Sequence, residues 1–281
     1  MSDTEKSIAD YYTSDSLWQR LSAALASDGV DPLNPSLQAL APYDHFHGRG
    51  LEATQSLAVG LEIAPSDRIL DVGSGIGGPA RFFADKFGCH VTGLDLTQEF
   101  CDVAIRLNQL LKVEARVTIE QGNALSMPFP DQSFDGAYSM NVAMNIEDKA
   151  ALYRELHRVL KPGAWLMLCE IADNADGNGT LEYPTPWAKT AASSFLASAA
   201  QTRTSLEQNG FTVNRLDDTS AAAAAYGARS RELVGRGEKP LHRAVTLIHQ
   251  DVAKAVSANS ARGVEQGIIV PIEAYCIRRN D

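Results

Sequence analysis

The sequence predicts an α/β fold built on a mostly parallel sheet, with a helical arm in front of it and a cap behind. Three observations carry that prediction. Between residues 67 and 172, short apolar runs alternate with amphipathic stretches, which is the βαβ signature. A loop dense in glycine, Gly73-Ser74-Gly75-Ile76-Gly77-Gly78, joins the first apolar run to the amphipathic stretch that follows. Residues 1–66 show helical spacing, broken at Asp31-Pro32-Leu33-Asn34-Pro35 and at Ala41-Pro42-Tyr43.

The expected strands are Arg68–Val72, His90–Asp95, Arg116–Glu120, Phe134–Tyr138 and Ala164–Leu168. Helical spacing runs over Pro79–Phe87 and Thr97–Leu111. Pro79 suits a first helical turn, Thr97 suits an N-cap, and Glu99 and Asp102 favour the positive end of the helix dipole. A helix over Asp148–Leu160 is expected to stop at Lys161-Pro162-Gly163. Beyond it come a polar, turn-rich insertion at Asp173–Gly179, a helix over Thr202–Asn209, a strand over Phe211–Leu216, a long helical segment over Ser220–Ser260 and a last strand over Gly267–Ile277.

A chain of 281 residues with 44% hydrophobic and 21% charged residues has the composition of a folded globular protein. Its formal net charge of -10 disfavours a grip on nucleic acid or on an anionic membrane, so neither is expected as a partner. Four separated cysteines form no C-x-x-C, no apolar signal core opens the chain and no run approaches a bilayer span, so a reducing, cytoplasmic setting is expected. No metal is expected, because His45-Phe46-His47 lacks further ligands at metal spacing.

Glycines between a strand and a helix let backbone N–H groups approach a ligand closely. Gly73, Gly75 and Gly78 also fit the dinucleotide pattern G-x-G-x-x-G, with Asp95 at ribose-binding distance along the chain, so a nicotinamide-dependent oxidoreductase has to be weighed. Asp71 argues against it. A carboxylate just before the loop repels a pyrophosphate, whereas S-adenosylmethionine carries a sulfonium and an ammonium and no phosphate. Asp95, ending the second strand, can accept from two ribose hydroxyls. Asn123, in Gly122-Asn123-Ala124 after the third strand, can both accept from and donate to an adenine edge.

Five ordered motifs resemble class I S-adenosylmethionine-dependent methyltransferases. They are Asp71–Arg81, Leu94-Asp95-Leu96-Thr97, Gly122-Asn123-Ala124, Met127–Asp135 and Leu156–Gly163. Tyr43–His47, Ser139–Ile146 and Pro184-Thr185-Pro186-Trp187-Ala188 are similar to the branch with sarcosine/dimethylglycine N-methyltransferases. The resemblance implies a Rossmann-like, seven-stranded, mostly parallel sheet with an antiparallel last strand. It divides the chain into an arm or lid (1–66), a cofactor-binding core (67–172), cap insertions with the sixth strand (173–264) and a terminal strand (265–281). It also implies N-methylation of a small molecule, with S-adenosyl-L-homocysteine as product; a cofactor-binding module without turnover is the remaining alternative. The expected cofactor residues are Asp71, Gly73, Ser74, Gly75, Gly77, Asp95, Leu96, Asn123, Ala124 and Asn141. His45, His47, Tyr12 and Asn145 are the catalytic candidates, and Tyr11, Met144 and Trp187 are expected at the acceptor, with Phe195 a further candidate wall. His157 and His242 are read as solvated helix faces.

Overall fold

A computed structural model of the chain describes residues 3–14, 16–174 and 179–280. Four helices come first: α1 (Asp3–Tyr12), α2 (Leu17–Ser27), α3 (Leu37–Asp44) and α4 (Leu51–Leu57). The core then alternates as β1 (Arg68–Val72), α5 (Gly78–Phe87), β2 (His90–Asp95), α6 (Gln98–Leu111), β3 (Val117–Gln121), β4 (Phe134–Met140), α7 (Lys149–Val159) and β5 (Leu160–Asp173). It closes with α8 (Ala199–Gln208), β6 (Phe211–Asp218), α9 (Ser220–Gly235), α10 (Ala244–His249), α11 (Ala253–Glu265) and β7 (Ile269–Arg278).

The seven strands form one sheet in the order β3-β2-β1-β4-β5-β7-β6. β3, β2, β1, β4 and β5 pair in parallel, and β7 runs antiparallel between β5 and β6. The order reverses between β1 and β4, and this is where an open α/β sheet leaves a crevice at the carboxyl ends of its strands.

Period-two alternation gives the sheet two buried faces. Leu70, Val72, Leu166 and Leu168 pack with Leu152 and Leu156 of α7 and Leu206 of α8, while Ile69, Met167 and Cys169 turn to the other face against α4 and α5. A separate apolar cluster docks the N-terminal arm. Leu17, Leu21 and Leu25 make a stripe at i, i+4 spacing on α2 and bury against Phe100, Val103 and Leu107 of α6 and Leu247 of α10. Full burial of each leucine contributes roughly 1.5–3 kcal/mol.

Several local expectations change. β5 starts at Leu160, directly after α7, so Lys161-Pro162-Gly163 lies within the strand, and the β4–β5 register shifts between Phe134 and Gly136 to absorb it. Thr97 occupies the N-cap of α6 but makes no side-chain cap bond. α8 begins three residues earlier than expected, fixed by a capping box of Ser198 and Gln201. The long helix expected over Ser220–Ser260 is three helices: Gly237 (φ +79°) and Pro240 end the first, and Gln250 (φ +48°) ends the second. Of the turn-rich insertion, residues 175–178 lie outside the described residues. All four cysteines are free and buried. Among the described residues no helix is long and apolar enough to cross a membrane, and no three His, Cys, Asp or Glu side chains gather as a metal site.

Candidate active site

β1 ends at Val72, and the backbone then turns through Gly73 (φ +72°) and Gly75 (φ +53°), conformations that side chains rarely adopt. The Gly73 N–H donates to the Leu94 carbonyl at 2.7 Å, which ties the turn to β2. A Cβ on Gly73 would stand 2.2 Å from Cγ2 of Val142, and one on Gly75 2.9 Å from the Phe46 ring. The turn is a cradle that any side chain would fill.

Asp95 closes the cradle from the end of β2. Its Oδ2 accepts from the Gly75 N–H at 2.8 Å and its Oδ1 from the Thr97 N–H at 2.9 Å. Burial raises its carboxyl to about 6, against the pull of those two backbone N–H groups. Each oxygen keeps further lone-pair capacity for a hydroxyl. After β3, the Asn123 side chain folds into a local turn, its Oδ1 accepting from the Leu125 N–H at 2.9 Å. After β4, Asn141 takes a left-handed conformation (φ +61°), which Asn tolerates better than most residues. Buried Glu170 holds the next turn, accepting from the N–H groups of Val142 (3.3 Å) and Ala143 (3.1 Å), and burial raises its carboxyl to about 7.

These strand ends form one side of a cavity of about 440 Å³. The other side comes from the arm and the cap. The Tyr12 hydroxyl sits 3.3 Å from both Asn145 Oδ1 and the Pro186 carbonyl, and the Asn145 amide donates to the Trp187 carbonyl at 2.6 Å. Burial holds the Tyr12 phenol above its ordinary range. His249, at the end of α10, joins this wall with its ring 5.3 Å from that of Tyr11 and 6.5 Å from that of Tyr12. Burial lowers its pKa to about 4, so the ring is neutral near pH 7.

Of the residues expected at the site, Tyr12, Gly73, Gly75, Asp95, Leu96, Asn123, Ala124, Asn141, Met144, Asn145 and Trp187 line this one cavity. The others do not. Asp71 lies beneath the loop, its Oδ2 buried without a hydrogen-bond partner and its carboxyl raised to about 8 by burial. Ser74 is buried with its Oγ near Gly93, and Gly77 backs onto the Arg81 guanidinium. The Tyr11 hydroxyl donates to the Thr185 carbonyl at 2.8 Å, behind the wall.

His45 and His47 are also off the wall, contrary to their expected catalytic place. Asp44 holds His45 Nδ1 at 2.7 Å and bonds Arg81 at 2.9 Å, all three buried. The His47 Nδ1–H donates to the Gly48 carbonyl at 3.2 Å, so its Nε2 takes the Thr54 hydroxyl at 3.0 Å. Burial lowers the His47 pKa well below the usual imidazole range. His242 is no solvated helix face either. It sits in the loop before α10 and meets the His45 carbonyl through Nε2 at 2.6 Å, its pKa lowered by burial to about 4. His157, in the last turn of α7, is half-buried edge-on to Phe211. The Phe195 backbone pairs with the Met144 carbonyl, but its side chain is not on the cavity wall.

Sequence reasoning missed Phe46, Phe100, Val245, Ile248 and His249 on the wall. For Phe46 a signal existed: it alternates with His45 and His47 in an extended stretch, so it must face the opposite way.

Comparison with known proteins agrees with this geometry. Residues 70–168 match the family model described as a methyltransferase domain. The chain is 34% identical over 121 residues to phosphoethanolamine N-methyltransferase 1 of Arabidopsis thaliana, covering 43% of this chain and 24% of that protein. It is 34% identical over 145 residues to a sterol 24-C-methyltransferase of Gibberella zeae, covering 50% of this chain and 35% of the relative. It therefore spans between a quarter and about a third of those two curated relatives. Among solved structures, a putative sarcosine dimethylglycine methyltransferase from Galdieria sulphuraria shares the fold, with a TM-score of 0.61 at 18% identity over 82% of each chain. With the ordered motifs, the reversal point of the sheet and the glycine cradle at its strand ends, residues 70–168 carry a methyltransferase domain of the class I, S-adenosylmethionine-dependent kind.

Proposed function

We propose that the chain transfers the methyl group of S-adenosylmethionine to a nitrogen atom of a small molecule. The observation that carries the choice of nitrogen is the polar inventory of the arm-and-cap wall. The Pro186 carbonyl takes the N–H of the neutral His249 ring, so the other His249 nitrogen and the Asn145 side-chain oxygen offer lone pairs, and an amine N–H is a donor they suit.

In this reading Gly73 and Gly75 admit the cofactor to the backbone, Asp95 accepts from its ribose, and Asn123, Ala124 and Leu96 flank its adenine. Asn141 holds the turn beside it. Asp71 places a buried carboxyl below the loop, mostly protonated near pH 7 without cofactor, while Ser74 and Gly77 shape the turn without touching the ligand. Bound there, the cofactor supplies a methyl carbon already activated by sulfonium. The chain's task is to align the amine and exclude water. Tyr12, Asn145 and His249 orient the amine so that its lone pair faces the methyl carbon. Met144 and Trp187 wall the acceptor, and Tyr11 braces that wall. A neutral amine needs no base: its lone pair forms the N–C bond as the C–S bond breaks, and the product leaves as an ammonium ion. His45 and His47 therefore have no chemical part.

The division into arm (1–66), core (67–172), cap with sixth strand (173–264) and terminal strand (265–281) is proposed on the same grounds, the arm and cap shaping the acceptor side. Four buried free thiols support a reducing, cytoplasmic setting.

Incubation with methyl-labelled S-adenosylmethionine and a mixture of amines, phenols, carboxylates and thiols tests the proposal. Label on nitrogen is expected by NMR of the product. Label on oxygen, carbon or sulfur contradicts the choice of nitrogen, and no release of S-adenosylhomocysteine with any acceptor contradicts the enzyme.

A further inference from the structure

The cavity wall holds no lysine or arginine among the described residues, and the residues outside the description include neither type. It does hold three carboxylates, Asp95, Glu147 and Asp148. With Asp95 taken by the ribose, an anionic acceptor would meet no fixed positive charge and up to two negative ones.

Backbone N–H groups are the usual substitute for a cation in binding phosphate. Around this cavity the chain's own carboxylates already occupy several of them. Asp95 takes the N–H groups of Gly75 and Thr97, Glu170 takes those of Val142 and Ala143, and Asp148 caps α7 by accepting from the Ala151 N–H at 2.9 Å. The cations on flanking elements are engaged elsewhere. Lys149 Nζ donates to the Ile146 and Phe195 carbonyls, Arg243 pairs with Asp28 at 2.8 Å, and Arg81 is buried against Asp44. Much of the rest is apolar: Phe46, Phe100, Ile146, Trp187, Val245 and Ile248 all line the cavity.

We infer that the methyl acceptor carries no phosphate or other fixed anion and presents an apolar body to this wall, its reactive group being neutral or cationic. The inference rests on reading the cavity as the methyl-transfer site. Desolvating a phosphate beside carboxylates, with no fixed cation on the wall to pair it, opposes binding strongly, whereas an alkyl body gains from leaving water.

Three probes sharing one alkyl body separate the possibilities: octylamine, 1-octanol and octyl phosphate, titrated by calorimetry with and without saturating S-adenosylhomocysteine. Octylamine and octanol are expected to bind, and octyl phosphate at least about tenfold more weakly than either. In Glu147→Lys, which alters an exposed side chain at the mouth, the gap for octyl phosphate should narrow. Octyl phosphate binding the unaltered chain as tightly as octylamine overturns the inference. So does a failure of all three probes, since the wall is then no acceptor surface. S-adenosylhomocysteine affinity is measured separately. Its absence counts against the methyl-transfer reading, while the ranking of the probes decides the acceptor class alone.

Discussion

The two walls of the cavity are assembled by different means. One consists of the turns that follow β1, β2, β3 and β4, each within a few residues of a strand end. The other brings together Tyr12 of α1, the turn around Asn145, the Pro186-Trp187 segment and His249 of α10, which are dispersed over most of the chain. On the strand-end wall, shape comes from glycines and bonds from carboxylates to backbone. On the arm-and-cap wall, it comes from aromatic rings and a few shared hydrogen bonds. In the proposed reading the first wall holds the cofactor and the second the methyl acceptor.

The largest effect that could break this contrast lies in the strand-end wall. Gly73→Val forces a β-branched residue into a left-handed conformation and drives it into Val142, so S-adenosylhomocysteine binding measured by calorimetry should be lost. The next effect concerns charge below that wall. Burial raises the Asp71 carboxyl from 3.8 to about 8, so the folded chain holds a proton that the unfolded chain releases. Its stabilising contribution is full below the unfolded value and is lost as pH rises through about 8. Without cofactor, the melting temperature should fall between about pH 5 and pH 8, and Asp71→Asn should flatten that slope. Asp95 and Glu170, raised to about 6 and about 7, leave a residual slope of the same sign.

Smaller effects sharpen the contrast. Asp95→Ala should weaken S-adenosylhomocysteine binding by about 1.5–3 kcal/mol through lost charge-assisted hydrogen bonds. His249→Ala is the complement on the other wall. It should leave cofactor affinity unchanged and lower kcat/KM for the acceptor by roughly tenfold. Equal losses of both would mean the walls are not separable. Tyr11→Phe removes only the bond to the Thr185 carbonyl, and denaturant unfolding should register about 0.5–1.5 kcal/mol.

The same contrast explains what could be read in the sequence. The sheet, its glycine turn and the acid ending β2 were legible because each is written in consecutive residues with a fixed period. Asn123 and Asn141 followed from their place after a strand. The place of His249 on the wall was not legible, since it depends on how α10 docks on α2 and α3, and the helical pattern across 220–260 concealed the breaks at Gly237, Pro240 and Gln250. His45 and His47 show a subtler failure. Phe46 of that segment lines the cavity, while both imidazoles turn inward to Asp44 and Thr54. Asp71 departs in a related way, its carboxyl lying under the loop and off the cavity wall.

A crystal structure with S-adenosylhomocysteine tests the central claim most directly. The account predicts ribose hydroxyls on Asp95, adenine beside Asn123, and the sulfur facing the space bounded by Tyr12, Asn145 and His249. Ligand density elsewhere, or a sulfur turned away from those three residues, would contradict it.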